Sequence, residues 1–336
     1  MQLFEPSTAT LSYWLHWRVL VCAMWVVAPI IVAVYMIWKY ESLNKVAPRP
    51  QGGGAAKEAI VLSRDDDEAW RPCLKTIHPV WLLAYRVIAF AVLMGLLVAK
   101  LSASGFFLFY FYTQWTFTLV TIYFGYGTVL SVYGCCRHLN SASPGSNAHH
   151  VRTDAEQGNQ VPLIVDNPTK TLKVSINQDE LFVHQSQSIP CFLFKVMFQM
   201  TAGAVMLTDI VYWCILFPYF TINAYKLNYI TISMHSLNAL LLIGDSALNS
   251  MPLLWFGISY FVLWTGAYVT FQWTIHAFRS MWWPYPFLDL ASPYAPVWYL
   301  LMASLHLACY GFFVLIVKLK QDLLPKWFPE SHQCPS

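Results

Sequence analysis

Charged residues are scarce in this chain. Only 11% of its 336 residues are Asp, Glu, Lys or Arg, against about 25% in an ordinary soluble domain. Hydrophobic residues make up 57%, so too little polar surface remains to cover a water-soluble globule. The formal net charge of +3 is too small to indicate a nucleic-acid partner.

Metal-binding patterns are also missing from the sequence. The eight cysteines form no pair of C-x-x-C motifs and have no histidines at zinc spacing. We therefore predict no metal and no cofactor, and nothing in the sequence identifies a protein partner. The apolar runs lack the alternation that the strands of a membrane barrel need.

Long apolar runs are what the chain has instead. Seven of them approach or exceed the roughly 20 residues with which a helix crosses a bilayer. They cover residues 19–38, 80–99, 105–133, 192–218, 227–243, 251–277 and 295–317. The first is longer than the roughly 7–15-residue core of a signal peptide. We predict an all-α, polytopic transmembrane helical bundle of about seven spans.

The distribution of Lys and Arg predicts how the chain is oriented. Fourteen of them fall in connections on one side of the membrane and four on the other, and the richer side is normally cytosolic. The N-terminus is then outside or lumenal and the C-terminus cytosolic, in the plasma membrane or an endomembrane. The predicted division is an outer N-terminus with span one (1–38), a polar cytosolic loop (39–79), spans two and three (80–133), a polar, disordered cytosolic loop (134–191), spans four to seven (192–317) and a cytosolic tail (318–336).

Polar side chains inside the spans are candidates for function, because each is expensive to place in lipid. Asp209, His235 and Thr113 lie eight or nine residues inside the outer ends of their spans, which is a shared depth of about 12–13 Å. Arg86 and Lys195 lie near the cytosolic ends of theirs, where long side chains reach the headgroups. Ordinary explanations also exist, since a membrane Thr often bonds its own helix and a membrane His often bonds a neighbouring one.

Four segments resemble a known family. In order, they are FYTQW with a downstream IYFG, LTDIVYWCILFP, SMHSLNALLLIGD and WTIHAFRSMWWPYPFLDL. Over roughly residues 109–317 they resemble the androgen-induced membrane proteins and their rolling-stone relatives. The former are multi-pass hydrolases that cleave fatty acid esters of hydroxy fatty acids, with a membrane Thr as nucleophile and a His as base. The resemblance implies that Thr113 is the nucleophile, His235 the base and a fatty acid ester among membrane lipids the substrate.

Other residues would support this chemistry. Asp209 could orient the imidazole, Asn238, Gln114 or Trp115 could donate to an oxyanion, and His276 is an alternative base. The chain departs from the family by an extra N-terminal span and two long polar loops. Its segments WRPC and IHPVWLLAYRV resemble rolling-stone-like plant membrane proteins, and FYTQW is nearer the rolling-stone pattern than the hydrolase one. Rolling-stone relatives are associated with cell fusion and development. A non-enzymatic membrane protein, a transporter and a seven-span receptor therefore stay open as alternatives.

Overall fold

The computed structural model describes residues 11–46, 69–142, 189–221, 229–279 and 281–332. Within these ranges 84% of the residues are helical and none belongs to a strand. The α-helices there, in chain order, are α1 (Leu11–Trp14), α2 (Trp17–Val46), α3 (Pro79–Ser104), α4 (Tyr112–Ala142), α5 (Ile189–Val211), α6 (Tyr229–Met234), α7 (Leu237–Leu248), α8 (Ile258–Phe278) and α9 (Ala295–Trp327). The all-α prediction is confirmed for these residues.

Five helical segments are long and apolar enough to cross a membrane. They are Trp17–Tyr40, Pro79–Tyr110, Tyr112–Asn140, Ile189–Tyr219 and Ala295–Trp327. Each overlaps at least one of the seven predicted spans, and several run past the predicted ends. The second extends to Tyr110 and so includes residues 105–110, the predicted start of the third span. Five such helices indicate an integral, multi-pass membrane protein.

The other two predicted spans have a different form. Residues 227–243 contain α6 and the first part of α7, which are only 6 and 12 residues long. Residues 251–277 contain most of α8, whose 21 residues include Thr, Gln and His as well as apolar side chains. Among the described residues, therefore, five helices are long and apolar enough to cross a membrane, and the count of seven spans stays a prediction.

Contacts between the connections define two ends of the bundle. Isolated bridges pair Pro72 with Asn249 and Leu74 with His332. The start of α3 and the ends of α7 and α9 therefore lie together, and we call this end of the bundle the lower end. At the opposite, upper end, Tyr110 donates a hydrogen bond of 2.5 Å to the carbonyl of Trp282. Successive long helices therefore run in alternating directions. α5 lies at the centre, packed against α4, α7, α8 and α9.

Part of the predicted polar loop 39–79 is packed rather than solvated. Ala69, Trp70 and Cys73 are buried against the lower end, and Cys73 is disulfide-bonded. The Trp70 ring lies so close to Gly134 that a Cβ there would come within 2.1 Å of it. Residues 47–68 and 143–188, which hold most of the two predicted polar loops, lie outside the described residues.

Candidate functional site

The connection between α6 and α7 interrupts a helix at His235. In a continuous helix the His235 carbonyl would accept from the amide of Ala239. Here that carbonyl accepts from the Trp213 indole at 2.8 Å, and the Ala239 amide donates to the side chain of Asn238 at 3.0 Å. Side chains thus satisfy both halves of the missing backbone bond, which is how a break can persist away from water.

The helix facing this break is irregular as well. α5 ends at Val211 and continues as a π-helix over Tyr212–Thr221, which contains Pro218. π-helical turns are rare and occur frequently at functional sites. The Tyr212 ring is stacked on the imidazole of His235, with centroids 3.6 Å apart and planes 1° from parallel. Two irregular segments therefore meet at one histidine.

Asp209 and His235 form a buried acid–base pair, and both belong to the predicted site. Their side chains approach to 3.9 Å between Oδ1 and Nδ1, and Asn238 donates to the same carboxylate oxygen at 3.3 Å. The second oxygen, Oδ2 of Asp209, and Nδ1 of His235 are buried and have no hydrogen-bond partner among the described residues. Buried polar atoms are normally paired, so this pair has unused capacity for a water or a ligand group.

α4 contributes polar atoms next to this pair. The amide nitrogen of Gln114 lies 4.0 Å from the sulfur of Met234, the residue before His235. The side-chain oxygen of Gln114 is also buried without a described partner. We call Asp209, His235, Asn238 and Gln114 the upper polar cluster.

Thr113 lies at the edge of this region and has a different neighbour. Its backbone amide donates to the Tyr285 hydroxyl at 3.3 Å, and no hydrogen bond joins it to His235 among the described contacts. Burial raises the pKa of Tyr285 to about 12, while contact with Thr113 opposes the rise. The phenol therefore keeps its proton at physiological pH and can act as a donor. Sequence reasoning missed Tyr285, although it lies in the quoted WWPYPF segment.

The remaining predicted residues are engaged elsewhere. His276, predicted as an alternative base, is fully buried and stacks on Trp283 with centroids 3.6 Å apart. Its Nδ1 lies 2.7 Å from the Gln272 carbonyl and its Nε2 lies 3.3 Å from the Tyr110 hydroxyl. The indole of Trp115, a predicted oxyanion donor, already donates to a carbonyl at 2.8 Å.

Sequence reasoning also missed a second buried site near the lower end. Arg86 and Asp245 are both fully buried, with Nε and Oδ1 2.7 Å apart. Asp245 also accepts from Tyr123 at 2.5 Å and from Asn249 at 2.9 Å. A further Arg86 nitrogen, Nη1, donates to Ser131 and to the Ala69 carbonyl, both at 2.8 Å.

The prediction that Arg86 reaches the headgroups is therefore wrong. Its guanidinium points into the bundle because it bonds a carboxylate on α7 and a hydroxyl on α4 there. We call Arg86, Asp245, Tyr123, Asn249 and Ser131 the lower ion-pair cluster. An Asp at the end of the run LLLIGD, lying on the same side of the membrane as Arg86, was the available signal.

Neither cluster has the composition of a metal centre. Among the residues that the structure describes, no group of three or more His, Cys, Asp or Glu is placed to hold a metal ion. The upper polar cluster can instead exchange a proton, through the imidazole and carboxylate, and donate or accept hydrogen bonds through the amides of Asn238 and Gln114.

The fold and its apolar helices define the class of this molecule, an all-helical, multi-pass membrane protein. Compared with models of known protein families, with curated proteins and with solved structures, the chain matches none. The resemblance to the androgen-induced and rolling-stone proteins thus stays a prediction.

Proposed function

We propose that the chain crosses the membrane seven times, with its N-terminus outside or lumenal. In support, α6 and α7 together run from the upper end to the lower end, where the residue after α7, Asn249, bridges Pro72. α8 then leads back to the upper end, where Tyr110 bonds Trp282. The excess of Lys and Arg on the lower side favours a cytosolic lower end. The disulfide at Cys73 is an observation against that orientation, because such bonds persist mainly in oxidising compartments.

Cysteine labelling in sealed vesicles of known sidedness decides both points. Exposed positions are Leu254 between α7 and α8, Tyr294 before α9 and Phe328 after α9, and exposed Cys136 and Cys214 are first changed to Ser. A membrane-impermeant maleimide should label Tyr294→Cys from outside but label Leu254→Cys and Phe328→Cys only after permeabilisation. Leu254→Cys labelled like Tyr294→Cys would reduce the count to five, and the inverse pattern at all three would reverse the orientation.

For the activity, we propose hydrolysis of lipid esters within the membrane. The supporting observation is the buried pair of Asp209 and His235, which lies where two irregular helices meet. Their side chains approach to 3.9 Å, and Oδ2 of Asp209 and Nδ1 of His235 have no partner among the described residues. A protein rarely leaves such atoms without partners in a structural role, whereas a catalytic site needs them for the reacting groups.

The proposed reaction has two steps. As Oγ1 of Thr113 bonds to the ester carbonyl carbon, its proton passes to His235 through one bridging water. The ester C–O bond then breaks, and the alcohol leaves with that proton. Water next attacks the acyl carbon while His235 takes one of its protons. The bond between the acyl carbon and Oγ1 then breaks, the proton passes from His235 to Oγ1 of Thr113, and the fatty acid leaves. Tyr285, a protonated phenol beside Thr113, would donate to the carbonyl oxygen as negative charge develops there.

The test is hydrolysis of a long-chain fluorogenic ester by the purified protein in lipid nanodiscs. Thr113→Ala and His235→Gln should each lower the rate by about 100-fold or more, as loss of a nucleophile or base does. Thr113→Ser should retain part of it. Thr128→Ala is a matched control, because this threonine on the same helix only bonds the carbonyl of Phe124. Unchanged rates in both Thr113→Ala and His235→Gln would refute the proposal.

Transport is the second candidate, and the break between α6 and α7 favours it. Transporters commonly use interrupted helices to build polar sites near the middle of the membrane. Uptake of a solute or of protons into liposomes, abolished by His235→Gln and unaffected by Thr113→Ala, would support transport over hydrolysis. A protein inactive in both assays would favour the non-enzymatic alternative.

A further inference from the structure

A second space inside the bundle is separate from the polar clusters. It is a cavity of about 960 Å³, counting the space open toward the outside, between α2, α5, α8 and α9. The connection between α8 and α9 and the first residue of α4 contribute the rest of its wall. Trp25, Ile30, Leu207, Val262 and Met302 are among the side chains that line it.

The chemistry of the wall restricts what can bind. None of the residues lining the cavity is Asp, Glu, Lys or Arg. A carboxylate, phosphate or ammonium group placed there would lose its water without gaining a counter-charge, which is strongly unfavourable. The ligand must therefore be uncharged over the part that enters.

A few hydroxyl groups could recognise one polar end of such a ligand. The hydroxyls of Tyr112 and Thr265 lie 2.9 Å apart, and Tyr299 donates to the Leu288 carbonyl at 3.1 Å. Tyr285 accepts from the Thr113 amide, which leaves its own O–H to donate. In α2, Pro29 also lines the cavity and cannot donate to the carbonyl of Trp25, so that carbonyl has no helical partner.

We propose that this cavity binds an uncharged lipid with one long apolar body and a single hydroxyl or carbonyl end. The apolar body would fill the open space between α2 and α8, and the polar end would form hydrogen bonds with the hydroxyls of Tyr285 and Tyr112. Close packing at Gly266, where a Cβ would come within 2.7 Å of Ile30, holds α2 and α8 together beside the space. The proposal does not depend on the hydrolase activity, since a lipid could be held there as ligand or as substrate.

Photolabelling of the full-length protein in nanodiscs tests this proposal. The probes are a long-chain fatty alcohol carrying a diazirine and the fatty acid of the same chain, ionised at pH 8. The alcohol should label the wild type at least 10-fold more than the acid, and the adducts should map to α2, α5, α8 or α9 residues around the cavity. Equal labelling by the two probes, or adducts only outside these walls, would overturn the proposal.

A matched pair of variants on α9 gives an independent result. Ala303→Phe fills the cavity and should lower alcohol labelling at least 10-fold, while Val297→Phe, at a position 64% exposed on the same helix, should leave it unchanged. Unchanged labelling in Ala303→Phe would count against the site. Should Ala303→Phe fail to fold, the mapped adducts on the wild type still decide, and because neither probe contains an ester, the outcome is separate from that of the hydrolysis assay.

Discussion

Each of the two buried clusters contains one aspartate and one asparagine, but the surroundings of the carboxylate differ between them. In the lower ion-pair cluster, the carboxylate of Asp245 is paired with Arg86 and accepts further bonds from Tyr123 and Asn249. In the upper polar cluster, the carboxylate of Asp209 has one weak donor, Asn238, and an imidazole 3.9 Å away.

We interpret the difference as that between a closed structural site and a site that can still bind a substrate or water. A buried charge is tolerated when a counter-charge and hydrogen bonds surround it, and such a site has no capacity left for a ligand. The lower cluster joins α3, α4 and α7 in this closed manner. The upper cluster keeps unpartnered atoms beside a break in the helix, so a substrate or water can complete it. We expect the two sites to respond differently to the same substitution.

The largest effect is expected for Asp245→Asn. This change leaves the guanidinium of Arg86 fully buried without its counter-charge, which typically costs about 3–5 kcal/mol of unfolding free energy. Thermal unfolding in detergent, followed by tryptophan fluorescence, measures the loss. Asp322→Asn, the same change at an exposed position near the end of α9, is the control. An equal unfolding temperature for both variants would show that the lower cluster does not stabilise the fold.

A smaller effect is expected for Trp213→Phe, which removes the donor to the His235 carbonyl at the break. The loss should be about 1 kcal/mol, as for one neutral hydrogen bond, with faster hydrogen exchange at amides of α6 and α7. Trp264→Phe is the matched control, because the Trp264 indole nitrogen has no partner among the described residues. Equal exchange rates in the two variants would mean that the indole does not maintain the break.

Some of these features follow from sequence and others do not. The five spans are predictable because a bilayer sets the length and apolarity of a helix. The pairing of Arg86 with Asp245 was missed because the two residues lie 159 positions apart and each, taken alone, resembles an interfacial charge. The break at His235 could not be predicted, because no proline or glycine lies there. The bonds that make it possible come from Trp213, which is distant in sequence, and from Asn238. The position of Tyr285 beside Thr113 depends on how the α8–α9 connection folds over the upper end.

The smallest change in stability is expected for Asp209→Asn, the same substitution as in the lower cluster. No Lys or Arg bonds Asp209 within the described part of the chain, so the substitution leaves no buried positive charge without its partner. The new side-chain amide can also keep a contact with Asn238. The unfolding free energy should stay within about 1 kcal/mol of the wild type, because replacing a poorly satisfied buried charge by a neutral group of equal shape is nearly neutral. Ester hydrolysis should nevertheless fall, since the imidazole of His235 loses the carboxylate that orients it. A loss of stability as large as that of Asp245→Asn would mean that both carboxylates are structural, and the contrast between the two clusters would disappear.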